Sequence, residues 1–335
     1  MWTSVRFTHK YHLNKEDGLK RRLFFSVDVH GAESVWRKWL KIPDMYDVDG
    51  LLLCGDLTGK SLVPLIEQEN GSYNAFYFGR NWNITDPEEL DKMEKKIKDA
   101  GAYTMRCDKK RIEHLQNNPS EVEELMIEMI KHRIDKWMKM LAETIDHSSV
   151  DAIVMPGNDD DFVIDDIIKS YSDRGIQWSL DGITEVLGIE MISLDYVNPT
   201  PWDTPREDSE RGMNKRIEKL VSKLENPSQS IFNLHAPPKG TKLDLAPELD
   251  ANKKPVTVAG QVNFVHVGSQ SVYDAIEKYQ PLIGLHGHIH ESYGDQKIGD
   301  TPVVNPGSEY GEGILRGYIV EFDNGKVSNY WKVEG

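Results

Sequence analysis

The side chains best suited to chemistry in this sequence are acids, an amide and imidazoles that closely follow short apolar runs. Seven of them stand within a few residues of the end of such a run: Asp28, His30, Asp56, Asn158, His235, His288 and His290. Carboxylate, imidazole and amide ligands without thiolates suit Mn, Fe, Zn or a similar divalent ion, whereas an all-oxygen set would suit Mg or Ca. Seven donors are too many for one ion. Two ions that share a bridging carboxylate would use all of them and leave room for a bridging water.

These donors can meet only if the apolar runs lie side by side. The runs occupy 23–27, 51–54, 150–155, 189–194, 231–234 and 282–285. Each is short and consists mainly of Leu, Ile, Val and Phe without polar alternation, which is typical of strands covered on both faces. In α/β sheets the ligand-binding positions lie at the carboxyl ends of the strands, so the donors are predicted to converge at one edge. A single fragment such as Asp28-Val29-His30 is a common turn, and it is the joint occurrence that favours a metal site.

The last pair of histidines places a condition on the backbone. Alternate residues of a strand face opposite ways, so His288 and His290 reach one site only if the chain bends where the strand ends. A pair of surface histidines is the alternative interpretation.

The C-terminal region adds strands of a different kind. Segments 301–304, 317–322 and 327–333 are predicted strands, and Asn324-Gly325 between the last two is a strong hairpin signal. Together with the apolar runs, they predict a single α/β domain over residues 1–335.

An insertion at 65–148 is expected within this domain, and it is expected to be mostly helical. One helix is predicted from the cap at 85–87 to Gly101. A second, at 120–146, carries a Met-rich apolar stripe at helical spacing. We expect the stripe to pack against the domain's own sheet, with docking of a partner as the alternative.

Composition limits the class of function. The formal charge of −15 opposes binding to nucleic acid phosphates, so a nucleic acid substrate is disfavoured. The two cysteines, Cys54 and Cys107, are expected to be free thiols. The sequence contains no apolar run of about 18 residues and no segment typical of a signal peptide. A cytoplasmic protein without membrane contact is therefore expected, and the sequence does not predict the oligomeric state.

In chain order, the donor motifs carry a resemblance. Asp28-x-His30, Gly55-Asp56, Gly157-Asn158, His235 and Gly287-His288-x-His290 resemble the metal signature of the calcineurin-like metallophosphoesterases. The loops at 288–294 and 304–308 also resemble those of its small phosphodiesterase branches. The resemblance implies a four-layer αββα sandwich of two mixed β-sheets flanked by helices, which agrees with the strand-rich C-terminus.

The resemblance also implies a role for each donor. Asp28, His30 and His290 would hold one divalent ion, Asn158, His235 and His288 a second, and Asp56 would bridge them. Mn²⁺ is the expected metal, with Fe, Zn, Ni or Co as alternatives. Two divalent ions and two carboxylates leave positive charge for a phosphate, and a bridging water would be acidified for attack on phosphorus.

The sequence departs from this pattern at one position. Asp159 stands where the resemblance implies a histidine that contacts the phosphate and assists the leaving group. An ionised Asp would repel a phosphate, and a diester or pyrophosphate would suffer less from this than a monoester. Diester cleavage is therefore the favoured reaction.

Other residues are candidates for supporting roles. Asp159 and Asp160 are assigned to the catalytic group, although the acids that follow Asp159 can equally orient metal ligands or begin a solvated helix. Lys60, Lys239 and His266 are candidates for substrate binding. For Lys60 and His266, a surface lysine and a structural histidine are the alternatives.

These observations predict a hydrolase: a dinuclear metal-dependent phosphoesterase acting on a small or nucleotide-like phosphodiester or pyrophosphate. The alternative is a metal-binding scaffold, its chemistry weakened by Asp159, that recruits a protein partner. A nuclease is a third interpretation, opposed by the acidic charge.

Overall fold

The computed structural model describes residues 20–180 and 182–335. Its strands are β1 (Arg21–Ser26), β2 (Gly50–Cys54), β3 (Leu62–Glu67), β4 (Tyr73–Tyr77), β5 (Arg80–Ile84), β6 (Tyr103–Asp108), β7 (Asp151–Met155), β8 (Ile176–Gln177), β9 (Ile183–Val186), β10 (Ile189–Leu194), β11 (Ile231–Leu234), β12 (Leu245–Pro247), β13 (Thr257–Val258), β14 (Gln261–Val262), β15 (Phe264–His266), β16 (Ile283–Leu285), β17 (Gly294–Ile298), β18 (Thr301–Asn305), β19 (Arg316–Asp323) and β20 (Lys326–Glu334). Its α-helices are α1 (Glu33–Trp39), α2 (Ile42–Tyr46), α3 (Pro87–Asp99), α4 (Lys109–Asn117), α5 (Pro119–Thr144), α6 (Asp165–Lys169), α7 (Glu210–Val221) and α8 (Gln270–Tyr279).

Two mixed sheets of six strands each form the centre of the fold. The strand order is β20-β19-β1-β2-β7-β8 in the first sheet and β17-β18-β16-β11-β10-β9 in the second. Strands β1, β2 and β7 run parallel to one another, and so do β10, β11, β16 and β18. Because parallel strands end at the same edge of their sheet, the loops that follow β1, β2 and β7 lie together, as do those that follow β11 and β16.

The apolar strands are covered on both faces, as their composition predicts. Along β1, Leu23 and Phe25 point into a core between the two sheets, where they join Ile231 of the second sheet. Phe24 points the opposite way, into a core that includes Trp137 of helix α5. A third core joins the second sheet to helices α7 and α8. The layers are therefore helix, sheet, sheet and helix, and the predicted αββα sandwich is confirmed.

Helix α5 forms part of the outer layer on the first sheet. Ile134, Trp137, Met138 and Leu141 are buried in the core that it shares with β2 and β7. Trp137 stacks on Trp36 of α1 with ring centroids 4.6 Å apart. The prediction that the Met-rich stripe packs on the protein's own sheet is confirmed for this C-terminal half of the helix.

The segment between β2 and α5 contains a sheet that the sequence did not predict. Strands β3 to β6 form a four-stranded sheet in the order β5-β4-β3-β6, and α3 packs on it around a separate small core. Helices α3, α4 and α5 make up most of residues 65–148, but β3 begins at Leu62, before the predicted boundary. The sheet escaped prediction because β4 and β5 bury few side chains and carry mainly Asn and aromatic residues instead of an aliphatic run.

The C-terminal hairpin has the predicted turn. Asn324 and Gly325 both have positive φ, 50° and 72°, between the paired strands β19 and β20. This is the backbone conformation that favours Asn-Gly in two-residue hairpin turns. No helix in residues 20–180 and 182–335 is both long and apolar enough to cross a membrane.

Candidate metal centre

The seven predicted metal ligands come together at the carboxyl edges of the two central sheets. Those from the first sheet follow β1, β2 and β7 and are Asp28, His30, Asp56 and Asn158; those from the second follow β11 and β16 and are His235, His288 and His290. The site therefore straddles the sandwich, and neither sheet alone can form it.

The donor atoms form two groups that share one residue. Asp28, His30, Asp56 and His290 each offer a ligand atom within 4.8 Å of the others, and so do Asp56, His235 and His288. Asp56 belongs to both groups, as a bridging carboxylate would. The nitrogen atoms of the first group face one another closely, with His30 Nε2 3.1 Å from His290 Nε2.

Asn158 joins the second group through His235. Its Oδ1 lies 3.1 Å from His235 Nε2, while its Nδ2 donates to Thr204 Oγ1 at 2.9 Å. Thr204 in turn donates to Glu207 at 2.7 Å. This series of hydrogen bonds fixes which end of the Asn158 side-chain amide faces the site, so the oxygen is presented to the donor group.

Four of the seven residues have a left-handed backbone. Positive φ values occur at Asp28 (54°), His30 (40°), Asp56 (40°) and His288 (67°). Non-glycine residues adopt this region at an energetic cost, and such strain concentrates at functional sites. At His288 it produces the bend that brings both His288 and His290 into the site, as the spacing required.

Two glycines allow the loops to approach closely. A Cβ on Gly55 would lie 2.2 Å from the His235 ring, and one on Gly157 would lie 2.2 Å from the Asp56 nitrogen. Any larger residue at either position would push the neighbouring loops apart.

Two of the three imidazoles of the second sheet, those of His288 and His290, have the protonation state that metals bind. Burial and the neighbouring His235 lower the pKa of His288 to about 4, and burial and His30 lower the pKa of His290 to about 3. Both rings are therefore neutral at pH 7, the form in which histidine acts as a ligand.

The carboxylates require a positive partner. Burial raises the pKa of Asp28 to about 7. Burial alone would also raise the pKa of Asp56, but His235 and His30 hold it below its ordinary value. Burial would lower the pKa of His235, yet Asp56 and Asp28 together raise it to about 9. The ionised Asp56 carboxylate thus favours a positive charge on each of its two sides, next to the first sheet and next to the second.

One buried atom indicates how a metal would fit. Asp28 Oδ2 accepts a hydrogen bond from the His288 amide at 2.9 Å, but Oδ1 is buried and accepts none from the described residues. Oδ1 instead faces His235 Nε2 at 3.7 Å. A buried carboxylate oxygen without a donor is costly, and coordination of a cation would remove that cost. The residues present therefore fit a divalent metal.

Asp160 lies behind this centre instead of facing it. Its fully buried carboxylate accepts hydrogen bonds from the amides of Leu57, Thr58 and Gly157 and from the Thr58 hydroxyl, at 2.6 to 2.9 Å. These donors come from the loops after β2 and β7. Through these bonds Asp160 positions the Asp56 and Asn158 loops. It has no exposed surface with which to touch a substrate. This is contrary to its assignment to the catalytic group. Asp161 caps the next turn through the Val163 amide.

Asp159, whose amide contacts Asp56, forms a partly exposed ion pair with Lys60. Lys60 Nζ lies 2.5 Å from Asp159 Oδ1, with half of the lysine side chain and 22% of the aspartate side chain exposed. The Asp159 amide donates to Asp56 Oδ1 at 2.9 Å. Asp159 therefore stands beside the shared carboxylate, and its predicted repulsive charge is neutralised by Lys60.

Lys239 and His266 have other surroundings. His266 Nδ1 lies 2.7 Å from the buried Asp244 carboxylate, which also accepts from the amides of Gly240 and Gly268. Lys239 is exposed, and its amide donates to Ser269. No contact among the described residues joins either side chain to the seven donors, and the structural interpretation of His266 is favoured.

Sequence reasoning missed Tyr310. Its ring centroid lies 4.7 Å from that of His30 and 5.9 Å from that of His290. Burial and the nearby Asp159 raise its pKa, so its hydroxyl is neutral. Tyr310 stands in a 3₁₀ turn after β18 without a motif of its own, and no pattern in the sequence pointed to it.

Arg206 was missed for a similar reason. It is buried between Asp195 at 2.5 Å and Asp165 at 2.6 Å, and its amide donates to the Asn158 carbonyl. It thereby ties the loop at 198–208 to the Asn158 loop. No pattern in the sequence pointed to Arg206, because a buried ion pair has no signature in sequence.

The sandwich, with these loops at the edge of both sheets, is the metallophosphoesterase fold. One solved crystal structure covers 94% of this chain and 99% of its own, with 17% identity and a TM-score of 0.56. The crystal structure of TT1561 of Thermus thermophilus covers 91% of this chain and 99% of its own, with 13% identity and a TM-score of 0.50. At these identities the similarity shows the fold alone.

Sequence comparison gives a family. No protein-family model matches the chain. It is 32% identical over 175 residues to the uncharacterized protein MJ1162 of Methanocaldococcus jannaschii, and the match covers 50% of this chain and 68% of that protein. The chain belongs to the same family as MJ1162.

Proposed function

We propose that this protein is a dinuclear metal-dependent phosphoesterase. The observation that carries the proposal is the pair of donor groups that share Asp56. In this arrangement Asp28, His30 and His290 hold one divalent ion, and Asn158, His235 and His288 hold the other. Two ions when bound would supply Lewis acidity and an acidified water for attack on phosphorus.

The protein's own residues prepare the site for an anionic substrate. Two divalent ions carry +4, Asp28 and Asp56 remove 2, and the Lys60–Asp159 pair adds nothing, so +2 remains. That charge attracts a phosphate ester. His288 and His290 are both partly exposed, so the centre is open to solvent on the second-sheet side.

The Lys60–Asp159 ion pair bears on the choice between a diester and a monoester substrate. A diester was favoured because a lone Asp159 would repel a monoester, but Lys60 cancels that charge. The electrostatic reason for a diester therefore disappears. We keep phosphodiesters and pyrophosphates of small molecules as the first class to test, with monoesters assayed beside them.

The segment between β2 and α5 flanks the first donor group in this proposal. A Cβ on Gly101 would lie 2.3 Å from the His30 carbonyl oxygen and 3.5 Å from the Tyr310 ring. Arg133 of α5 donates to the carbonyls of Gly31 and Gly101 at 2.9 and 3.2 Å. These contacts hold the insertion beside the site as a fixed wall.

Metal counting together with turnover tests the proposal. The purified chain is dialysed against Mn²⁺, and bound metal is measured by mass spectrometry. Two ions per chain are expected, with hydrolysis of bis-p-nitrophenyl phosphate that EDTA abolishes and Mn²⁺ restores. p-Nitrophenyl phosphate is assayed in parallel. Absence of turnover of both esters with Mn, Co, Ni and Zn, at neutral and alkaline pH, would contradict the proposal.

A metal-binding scaffold is the second candidate, because one surface could serve a partner. Phe76 near the end of β4 and Phe78 in the turn that follows are 65% and 67% exposed. A scaffold would bind its partner through such residues and would be indifferent to chelation. Partner binding that survives EDTA and is lost in Phe76→Ser/Phe78→Ser, in a protein without turnover, would favour this candidate.

A further inference from the structure

The partly exposed Lys60–Asp159 ion pair offers chemistry that the metal ligands do not provide. We propose that Lys60 is a catalytic residue that contacts the leaving oxygen of a bound phosphoester, and that Asp159 is the residue that positions it. The inference rests on the proposed function. It assigns the proton donor of the reaction to a residue outside the metal centre.

The placement of Asp159 is determined by the shared carboxylate. Its amide donates to Asp56 Oδ1 at 2.9 Å, so its Cα lies next to the bridge between the two donor groups. Its carboxylate is partly exposed and pairs with Lys60, whose Nζ lies 2.5 Å from Oδ1. Asp159 is also one of the acids that raise the pKa of Tyr310, whose ring covers His30.

The placement of Lys60 is determined by the residue before it. A Cβ on Gly59 would lie 1.9 Å from the Gly101 carbonyl oxygen and 3.3 Å from that of His30. The backbone at 59 is thus packed between the insertion and the loop after β1. Lys60 follows this contact, and its ammonium reaches across to Asp159 from the side of the first donor group. Two of its three N–H donors remain for a substrate.

The pair suits departure of the leaving group. In hydrolysis a water oxygen forms the new bond to phosphorus, and the bond to the leaving oxygen breaks with its electron pair kept on that oxygen. The Lys60 ammonium donates its proton there. Solvent returns a proton to the amine, and the attacking water releases one to solvent. A general acid of this kind contributes about 10²- to 10⁴-fold in rate, most for a basic leaving group.

The test compares two diesters that differ only in the leaving group. Methyl phenyl phosphate needs a proton on its departing phenoxide, whereas methyl 4-nitrophenyl phosphate leaves readily without one. In the manganese-loaded full chain, Lys60→Met is expected to lower kcat/KM about 10²-fold for the phenyl ester and less than about tenfold for the nitrophenyl ester. An equal loss on both esters, or none, would overturn the role of Lys60.

A binding measurement gives a readout besides turnover. Titration of the manganese-loaded chain with inorganic phosphate is expected to show an affinity about tenfold weaker in Lys60→Met, because one charge-assisted hydrogen bond is lost. The manganese content should not change. Lys92→Met is the matched control, since Lys92 forms an exposed pair with Glu88 on α3. Equal phosphate affinity in wild type and Lys60→Met would contradict the contact.

A double-mutant cycle separates positioning from direct contact. Asp159→Asn is expected to lower kcat/KM for the phenyl ester about tenfold in the wild-type background and to have no further effect beside Lys60→Met. A full additional loss in that background would give Asp159 a contact of its own and overturn its positioning role. If the wild type hydrolysed neither methyl ester, the role of Lys60 in departure of the leaving group would be overturned, whereas the proposed function would fail only if bis-p-nitrophenyl phosphate and p-nitrophenyl phosphate were not hydrolysed either.

Discussion

The floor and the rim of the site are built by different rules. The floor is the set of seven donors Asp28, His30, Asp56, Asn158, His235, His288 and His290, and the rim is Lys60, Asp159 and Tyr310. Floor residues such as Asp28 and His235 are 0% and 1% exposed, whereas the Lys60 side chain is 50% exposed. Strands and strained loops hold the floor in place, whereas one ion pair, the Asp159 amide and two ring contacts of Tyr310 hold the rim. A metal site needs fixed ligands, and a substrate site needs groups that can meet a ligand from solvent.

The largest effect is expected where the two donor groups join. Asp56→Asn replaces the one carboxylate that belongs to both donor groups with a neutral amide. The variant is expected to lose both manganese ions and at least about 10³-fold in kcat/KM, which corresponds to several kcal/mol of transition-state stabilisation. Metal analysis and the bis-p-nitrophenyl phosphate assay provide the measurement. Retention of both metals and of activity would show that metal binding does not depend on a bridging carboxylate at Asp56.

The second-largest effect is expected at Asp160, which lies behind the floor residues and holds their loops. Asp160→Asn places an amide donor against the amides of Leu57 and Gly157, where a carboxylate accepts them now. A loss of about 3 kcal/mol in the free energy of unfolding is expected in urea titrations. Asp161→Asn is the matched control, because Asn caps a helical turn as well as Asp does. Equal stability of the two variants would contradict a positioning role for Asp160.

A smaller effect is expected from the residue that orients Asn158. Thr204→Val keeps the shape but removes the oxygen that accepts from Asn158 Nδ2. Manganese affinity at one of the two sites should fall about 10- to 100-fold. Isothermal titration can resolve the two sites, and the site of His30 and His290 serves as the internal control. Equal weakening at both sites would argue against the assignment of Asn158 to one ion.

The smallest effect is expected at the rim. Tyr310→Phe removes the hydroxyl of the ring that covers His30 and is expected to raise KM for the diester by up to about tenfold while leaving the metal content unchanged. Tyr293→Phe, at an exposed tyrosine that contacts Lys332, is the control. Loss of metal in Tyr310→Phe would show that Tyr310 takes part in metal binding and belongs with the floor residues.

The same division explains how much the sequence could predict. Each floor residue follows an apolar strand, and strand topology alone brings such positions to one edge, so the set could be assembled from Asp28 to His290 without a structure. The rim could not, because the Lys60–Asp159 contact joins two loops far apart in the chain and depends on how Gly59 packs against Gly101. The β3–β6 sheet was missed because its strands β4 and β5 are largely exposed and lack aliphatic runs.

Asp160 shows the limit of interpreting charge runs. Three consecutive acids, Asp159 to Asp161, look alike in sequence, but the turn sends the first to a partly exposed ion pair with Lys60, the second to the interior and the third to a helix cap. Only the backbone decides which carboxylate meets a substrate. The predicted repulsion of a phosphate likewise assumed an unpaired Asp159, whereas Lys60 neutralises its charge.

The most direct measurement is anomalous diffraction from crystals grown with manganese. Two peaks are expected, one among Asp28, His30 and His290 and the other among Asn158, His235 and His288, with Asp56 bound to both. One peak, peaks elsewhere in the molecule, or no manganese on Asp56 would contradict a dinuclear centre.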